Sequence, residues 1–188
     1  MNFESKNHLL TIDKDIQLKN IELEDDQIIY NTIINNCEYL KEWLPFINNT
    51  FDLEHVKTFI EYSTNIDSND QVFTINYIDQ FVGIITLKDI DQTNQKAEIG
   101  YWLAESFQSK GIVLRSCERL IEYAFKELHL NRIQLKIAKS NTKSQAVATR
   151  LGFIREGIER DGELHADGFV DLIVYSLLKN DSSPYWPV

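Results

Sequence analysis

The fold is decided by residues 108–153, which read QSKGIVLRSCERLIEYAFKELHLNRIQLKIAKSNTKSQAVATRLGF. From Gly111 onward, apolar residues recur at helical spacing and charged residues lie on the opposite side, which predicts a long amphipathic helix. Residues 133–137 then alternate between apolar and polar side chains, which predicts a β-strand. A strand reached through a crossover helix should lie parallel to the strand that precedes the helix.

The segments on either side extend this pattern. Upstream, β-branched and aromatic stretches separated by turn-prone residues predict an antiparallel meander of strands at residues 72–77, 81–87 and 96–103. Downstream, a short helix that begins at Asn141 and is capped by Gly152 should lead to a closing pair of strands at residues 153–158 and 169–178.

The amino-terminal part should contain one strand, at residues 16–19, and three helices. The predicted helices begin at the acidic residues 24–26, span residues 38–44 before Pro45, and follow Asp52 as N-cap. In the first predicted helix, apolar residues recur at helical spacing, at isoleucines 28, 29, 33 and 34. In the third, Val56, Phe59 and Ile60 should share one face. An aromatic cluster between these helices, Trp43, Phe46 and Phe51, could be core or a substrate wall.

Composition limits the functional classes. A chain of 188 residues with 43% hydrophobic and 26% charged residues should form one globular domain, with a flexible tail at residues 181–188. Nineteen basic and 29 acidic residues give a net charge of −10, which disfavours nucleic acid and favours a cationic ligand, although such charge also serves solubility alone. No membrane helix or signal peptide is predicted, so the expected location is cytoplasmic. The two cysteines and four histidines show no metal-binding spacing.

Residues 105–113 place the start of the long helix at the end of a strand. The first backbone amides of a helix lack intrahelical acceptors, so they can bind an anion such as a diphosphate. Gly111 would let the main chain approach that anion without a Cβ atom. By itself, a glycine at such a junction is more often only a turn residue.

The second half of the segment strengthens the functional interpretation, because Asn141, Ser144 and Leu151-Gly152-Phe153 follow the next strand. With these residues the chain resembles the GNAT superfamily of N-acetyltransferases, whose diphosphate loop has the form Gln/Arg-x-x-Gly-x-Gly/Ala. Gln108 and Gly111 match this form, and Val113 replaces its final small residue. Residues 99–103, 107–112 and 171–178 resemble the RimJ/RimL type, which acetylates the N-termini of ribosomal proteins.

This resemblance implies an α+β (mixed α/β) fold with a mostly antiparallel, twisted sheet of about seven strands flanked by helices. Strands four and five would splay apart to admit the pantetheine arm of acetyl-CoA, and no metal is implied. The implied cofactor contacts are Trp102, Leu103, Gln108, Ser109, Lys110, Gly111, Ile112, Val113, Asn141 and Ser144.

The resemblance also implies catalytic roles. Ser144 matches the proposed general acid and Glu163 the proposed base, while Glu98, on the strand beside the cleft, is the competing base. Without a catalytic role, Ser144 would be a helix-capping residue and Glu163 a solvated carboxylate. Ala148 occupies the place where other branches carry a tyrosine acid. His165, near the closing turn, should be an exposed loop histidine unless it touches substrate.

The predicted function is transfer of acetyl from acetyl-CoA to an amine, above all to a protein N-terminal α-amine such as that of a ribosomal protein. A polyamine or aminoglycoside acetyltransferase is the alternative within the same class. A noncatalytic acyl-CoA sensor is the alternative from another class. A homo-oligomer is compatible with the sequence, and neither nucleic acid nor a membrane is expected as partner.

Overall fold

The computed structural model describes residues 9–47 and 51–181, so the tail predicted at residues 181–188 lies, except for Asp181, outside the described residues. The strands are β1 (Leu9–Thr11), β2 (Ile16–Asn20), β3 (Gln71–Tyr77), β4 (Gln80–Asp91), β5 (Lys96–Leu103), β6 (Arg132–Ala138), β7 (Ile154–His165) and β8 (Gly168–Leu178). The α-helices are α1 (Asp26–Asn35), α2 (Cys37–Leu40), α3 (Leu53–Thr64), α4 (Ile112–Lys126) and α5 (Thr142–Arg150), and short 3-10 helices occupy Leu23–Asp25 and Glu105–Phe107.

All eight strands join one sheet in the order β1-β2-β3-β4-β5-β6-β8-β7. Neighbouring strands are antiparallel except for β5 and β6, which are parallel, so the predicted α+β class and its one parallel pair are confirmed. The strand that the sequence did not predict is β1, which has only three residues and pairs Leu10 with Leu18 at the sheet edge. Three residues are too few to show an alternating pattern.

The parallel pair is short, and this shapes the centre of the sheet. Only Lys96–Glu98 of β5 pair with residues 132–134 of β6, although β5 continues to Leu103 and β6 to Ala138. On their outer sides both strands stay paired, Leu103 with Gly83 of β4 and Ala138 with Leu172 of β8. The two strands therefore diverge toward their carboxyl ends, as predicted, and leave a gap inside the sheet.

Two apolar clusters hold the sheet from opposite faces. Helix α4 buries Cys117, Leu120, Ile121 and Ala124 in the larger cluster. Helices α1 and α3 contribute Ile29, Ile33, Val56 and Ile60 to the smaller one. In the described part of the chain, no helix combines the length and the apolar character that crossing a membrane requires.

Several local predictions are confirmed at atomic level. The Asp52 carboxylate accepts a hydrogen bond from the His55 amide at 3.2 Å and so caps α3. Gly152 follows α5 with φ of 83°, and the next amide, of Phe153, donates to the Ala148 carbonyl at 3.0 Å. This is the left-handed helix ending that favours glycine.

Other predictions about the amino-terminal helices are wrong. Helix α2 ends at Leu40 instead of Leu44, and the chain continues in single turns up to Pro45. Phe59 is 40% exposed, because the buried stripe of α3 is narrow and runs through Val56 and Ile60 alone. Ile28 and Ile34 are likewise exposed, whereas Ile29 and Ile33 are buried.

The contact between Gly83 and β5 yields a test of the sheet. A Cβ atom on Gly83 would lie 2.2 Å from the Trp102 carbonyl oxygen, and that oxygen cannot move unless β5 moves with it. We expect Gly83→Ala to destabilise the protein by about 1–3 kcal/mol, as overpacking does, and to lower its melting temperature. Gly157→Ala on β7 is the matched control, since nothing lies within 4 Å of its Cβ position. Equal melting temperatures for the two variants would contradict this account.

Candidate active site

The gap between β5 and β6 opens into a cleft of about 440 Å³. Its walls come from both diverging strands, from the loop before α4, from the start of α5 and from Tyr39 and Trp43 near α2. Of the predicted site residues, Lys110 does not line the cleft, and those that do are Glu98, Trp102, Leu103, Gln108, Ser109, Gly111, Ile112, Val113, Asn141, Ser144 and Glu163. The fold therefore brings together residues that lie up to 65 positions apart in the sequence, from Glu98 to Glu163.

The loop before α4 presents backbone amides. Ser109 and Gly111 adopt positive φ angles of 60° and 71°, and α4 begins at Ile112. Within the part of the chain that the structure describes, the amides of residues 109–114 donate to no backbone carbonyl. A Cβ atom on Gly111 would approach only the Arg115 side chain, at 3.9 Å. The backbone conformation at residue 111 thus favours glycine, and the loop offers the donor groups that an anion needs.

Arg115 braces the other side of this loop, a role that the sequence analysis missed. Its Nε donates to the Gly111 carbonyl at 3.4 Å and its Nη2 to the Lys110 carbonyl at 3.3 Å. Its Nη1 forms an ion pair with Asp13, whose carboxylate also accepts from the Asp15 and Ile16 amides. The guanidinium therefore binds the carbonyl groups of Lys110 and Gly111, while the loop amides remain able to donate hydrogen bonds to a ligand.

Two lysines flank the loop. The Lys143 ammonium donates to Gln108 Oε1 at 2.8 Å and lies 5.6 Å from the centre of the Tyr39 ring. The Lys110 ammonium lies 4.7 Å from the centre of the Phe107 ring. Gln108 Nε2 is buried and has no hydrogen bond of ordinary length and angle among the described residues, although the Tyr39 phenol lies near enough to interact with it. Cations, amides and a spare amide donor suit a phosphorylated ligand.

Ser144 lies in the first turn of α5, but the cap of that helix is Asn141. Asn141 Oδ1 accepts from the Ser144 amide at 3.1 Å, so the serine contributes its backbone and not its hydroxyl to the cap. The phenol of Tyr101, on β5, lies beside the Ser144 hydroxyl and also lines the cleft. Tyr101 belongs to residues 99–103, which carry part of the RimJ/RimL resemblance, but no role was predicted for its hydroxyl.

The two candidate bases have different partners. Glu98 is buried and its Oε1 lies 2.7 Å from the Lys88 ammonium, with Gln134 Nε2 at 3.5 Å from Oε2. Glu163 Oε2 lies 2.7 Å from His165 Nε2. The expectation that His165 is exposed is wrong, since its side chain is 13% exposed and packed against Glu163. The carboxylate of Glu98 is thus paired with a fixed cation, whereas that of Glu163 faces an imidazole.

The three aromatic residues that were predicted to form either core or a substrate wall do not share one role. Trp43 lines the cleft, while Phe51 stacks on Tyr30 at 6.1 Å between ring centres and packs against the smaller apolar cluster. Phe46 is exposed. Among the described residues, no three His, Cys, Asp or Glu side chains form a group that could hold a metal ion.

Comparisons with known proteins agree with this geometry. The family model of the acetyltransferase (GNAT) domain matches residues 15–154. A Bacillus subtilis (strain 168) protein named "Putative ribosomal N-acetyltransferase YdaF" is 38% identical over 177 residues, 90% of this chain and 94% of its own. The ribosomal-protein-serine acetyltransferase of Escherichia coli (strain K12) is 29% identical over 79% of this chain and 84% of its own.

A solved structure provides a third comparison. The microcin C7 self-immunity acetyltransferase MccE, in complex with acetyl-CoA and AMP, is 28% identical and superposes with a TM-score of 0.84. The match covers 90% of this chain and 98% of that one. By its family match, its sequence relatives and its divergent parallel strands, the chain belongs to the GNAT family of acetyltransferases, and within it resembles the ribosomal-protein acetyltransferases.

Proposed function

We propose that this protein transfers the acetyl group of acetyl-CoA to the N-terminal α-amine of a protein such as a ribosomal protein. The observation that carries the proposal is the gap in the sheet, which places the loop amides, Ser144 and Glu163 around one cleft. YdaF and the E. coli ribosomal-protein-serine acetyltransferase, by their names, support a ribosomal acceptor, and MccE supports acetyl-CoA as donor.

The cleft residues fit acetyl-CoA. The edge of β5 that faces β6 has no ladder partner beyond Glu98 in the described structure, so main chain near Trp102 and Leu103 is free to pair with the pantetheine arm. The diphosphate would contact the amides of residues 109–113. Val113, in place of the family's small residue, also lines the cleft, so its amide remains accessible from that side.

The same cleft supplies two groups for the chemistry. A neutral amine must attack the thioester, and the departing thiolate needs a proton donor. Ser144 is the proposed donor, because Asn141 takes the capping role and leaves the serine hydroxyl to the cleft. Glu163 is the proposed base, because Lys88 already neutralises Glu98. The net charge of −10 favours a cationic acceptor approaching this site.

The acceptor class is tested by thiol release from acetyl-CoA with a matched panel of amines. We expect release with peptides that copy ribosomal-protein N-termini and none with the same peptides after their N-termini are blocked. Acceleration by spermidine alone would support the polyamine alternative. Binding of acetyl-CoA in calorimetry, without thiol release for any amine, would show a noncatalytic sensor.

Removal of the Ser144 hydroxyl should affect the chemical step. We expect Ser144→Ala to lower kcat by about 10²- to 10⁴-fold, with a small change in KM for acetyl-CoA, because a proton donor acts mainly in the transition state. Thr142→Ala is the control, since Thr142 is an exposed hydroxyl residue in the same helical turn and does not line the cleft. Full turnover by Ser144→Ala at saturating substrate would remove the serine from the mechanism.

The two carboxylates can be separated by pH. A protein N-terminal amine has a pKa near 8, so it is mostly protonated at pH 7 and becomes neutral as the pH rises. We expect Glu163→Gln to lose turnover at pH 7 and to recover part of it at higher pH, where the amine no longer needs a base. Glu98→Gln should retain most of its turnover, with melting temperatures checking for the loss of the Lys88 ion pair. The reverse pattern in the pH–rate profiles would place the base on β5.

A further inference from the structure

Tyr101 presents a buried donor that the proposed chemistry does not yet use. Its phenolic oxygen is inaccessible to solvent and has no hydrogen bond of ordinary length and angle in the described part of the chain, although the Ser144 hydroxyl lies near enough to interact with it. Buried hydroxyl groups in proteins normally have a partner, because an unpaired one lowers stability. Tyr101 and Ser144 both line the cleft, and the Ser144 hydroxyl interacts with the phenol of Tyr101.

We propose that Tyr101 is a positioning residue whose O–H donates to Ser144 Oγ and thereby aims the serine proton at the thioester sulfur. This inference rests on the proposed function of the cleft. The hydrogen bond would form as the site closes on substrate, since catalytic hydrogen bonds that are long in an apo active site often shorten when substrate binds. Tyr101 would act through Ser144 and would not contact the acetyl group itself.

In the transfer step, the amine nitrogen bonds to the carbonyl carbon of the acetyl group. The C–S bond of the thioester breaks, and its electron pair goes to sulfur. Ser144 gives its proton to that sulfur, and the hydrogen bond from Tyr101 stabilises the negative charge that develops on Ser144 Oγ. The proton lost by the amine goes to Glu163, and its return through solvent water to Ser144 Oγ restores both residues.

The surroundings of Tyr101 keep it a hydrogen-bond donor. Burial raises the pKa of the phenol well above its ordinary range, and the neighbouring Cys117 thiol adds to the rise, while Ser144 opposes it. The phenol therefore stays neutral at every working pH and does not itself release a proton. A neutral donor in a site shielded from water is also stronger than the same group in solvent.

Tyr101→Phe tests the inference, because it removes one hydroxyl, keeps the ring and leaves no new unpaired group. We expect kcat to fall roughly 10- to 100-fold, as for loss of a hydrogen bond to a charged group, with KM for acetyl-CoA changed less than about twofold. In a Ser144→Ala background the same change should cause no further loss, since residues that act as a unit are non-additive. Tyr175→Phe is the control, because Tyr175 is also buried but lies on β8 and does not line the cleft.

Two results would overturn the inference while leaving the proposed function intact. One is wild-type turnover in Tyr101→Phe. The other is losses that multiply in the double variant, which would mean that Tyr101 and Ser144 act independently. Absence of thiol release by the wild-type protein in the same assay would overturn both the inference and the proposed function. Melting temperatures of all variants exclude a fall in kcat caused by unfolding.

Discussion

The structure depends on the early end of the hydrogen-bonded ladder between β5 and β6. Beyond Glu98 and Gln134, β5 and β6 form no hydrogen-bonded pairs with each other. Each strand remains paired with its outer neighbour, β5 with β4 and β6 with β8, and this fixes its position in the sheet. Backbone amides and carbonyls therefore face one another across a gap inside the sheet. Unpaired backbone groups in a protein interior are unfavourable, so such a gap suits a ligand that pairs with them. Apolar clusters on both faces keep the gap open by holding the two halves of the sheet in place.

The carboxylates of the sheet differ in the partners with which they are paired. On the sheet, Lys88 neutralises Glu98, and Lys136 pairs with Glu159 at 2.8 Å. Hydrogen bonds from Arg132 and then Ser176 lower the pKa of Glu156 to about 2, so this carboxylate stays ionised and occupied. Glu163 differs because its partner is the imidazole of His165 and not a lysine or an arginine. Pairing of the other carboxylates thus gives a physical reason to assign proton transfer to Glu163.

The accuracy of the sequence analysis varied with the range of the interactions involved. Helix α4, the parallel order of β5 and β6, the cap at Asp52 and the helix ending at Gly152 were predicted correctly, because each depends on periodicity or on neighbours within a few residues. The length of α2 was predicted wrongly, and Phe59, which was expected to share one face of α3 with Val56 and Ile60, is exposed, because the position of each helix against the sheet determines which of its apolar residues are covered. Catalytic roles for Ser144 and Glu163 stay predictions.

The sequence by itself determined the family and the order of the central elements, since glycine, capping residues and alternating strands act locally, and it predicted candidate residues for the site. Only the tertiary structure decided how those residues are paired. Arg115 joins the loop to Asp13 across 102 positions of sequence, Lys88 occupies Glu98 from the adjacent strand, and Tyr101 meets Ser144 from β5. Such contacts connect side chains whose own neighbourhoods in the sequence contain no sign of the partner, because the sheet and the helices packed on it set the distance between them.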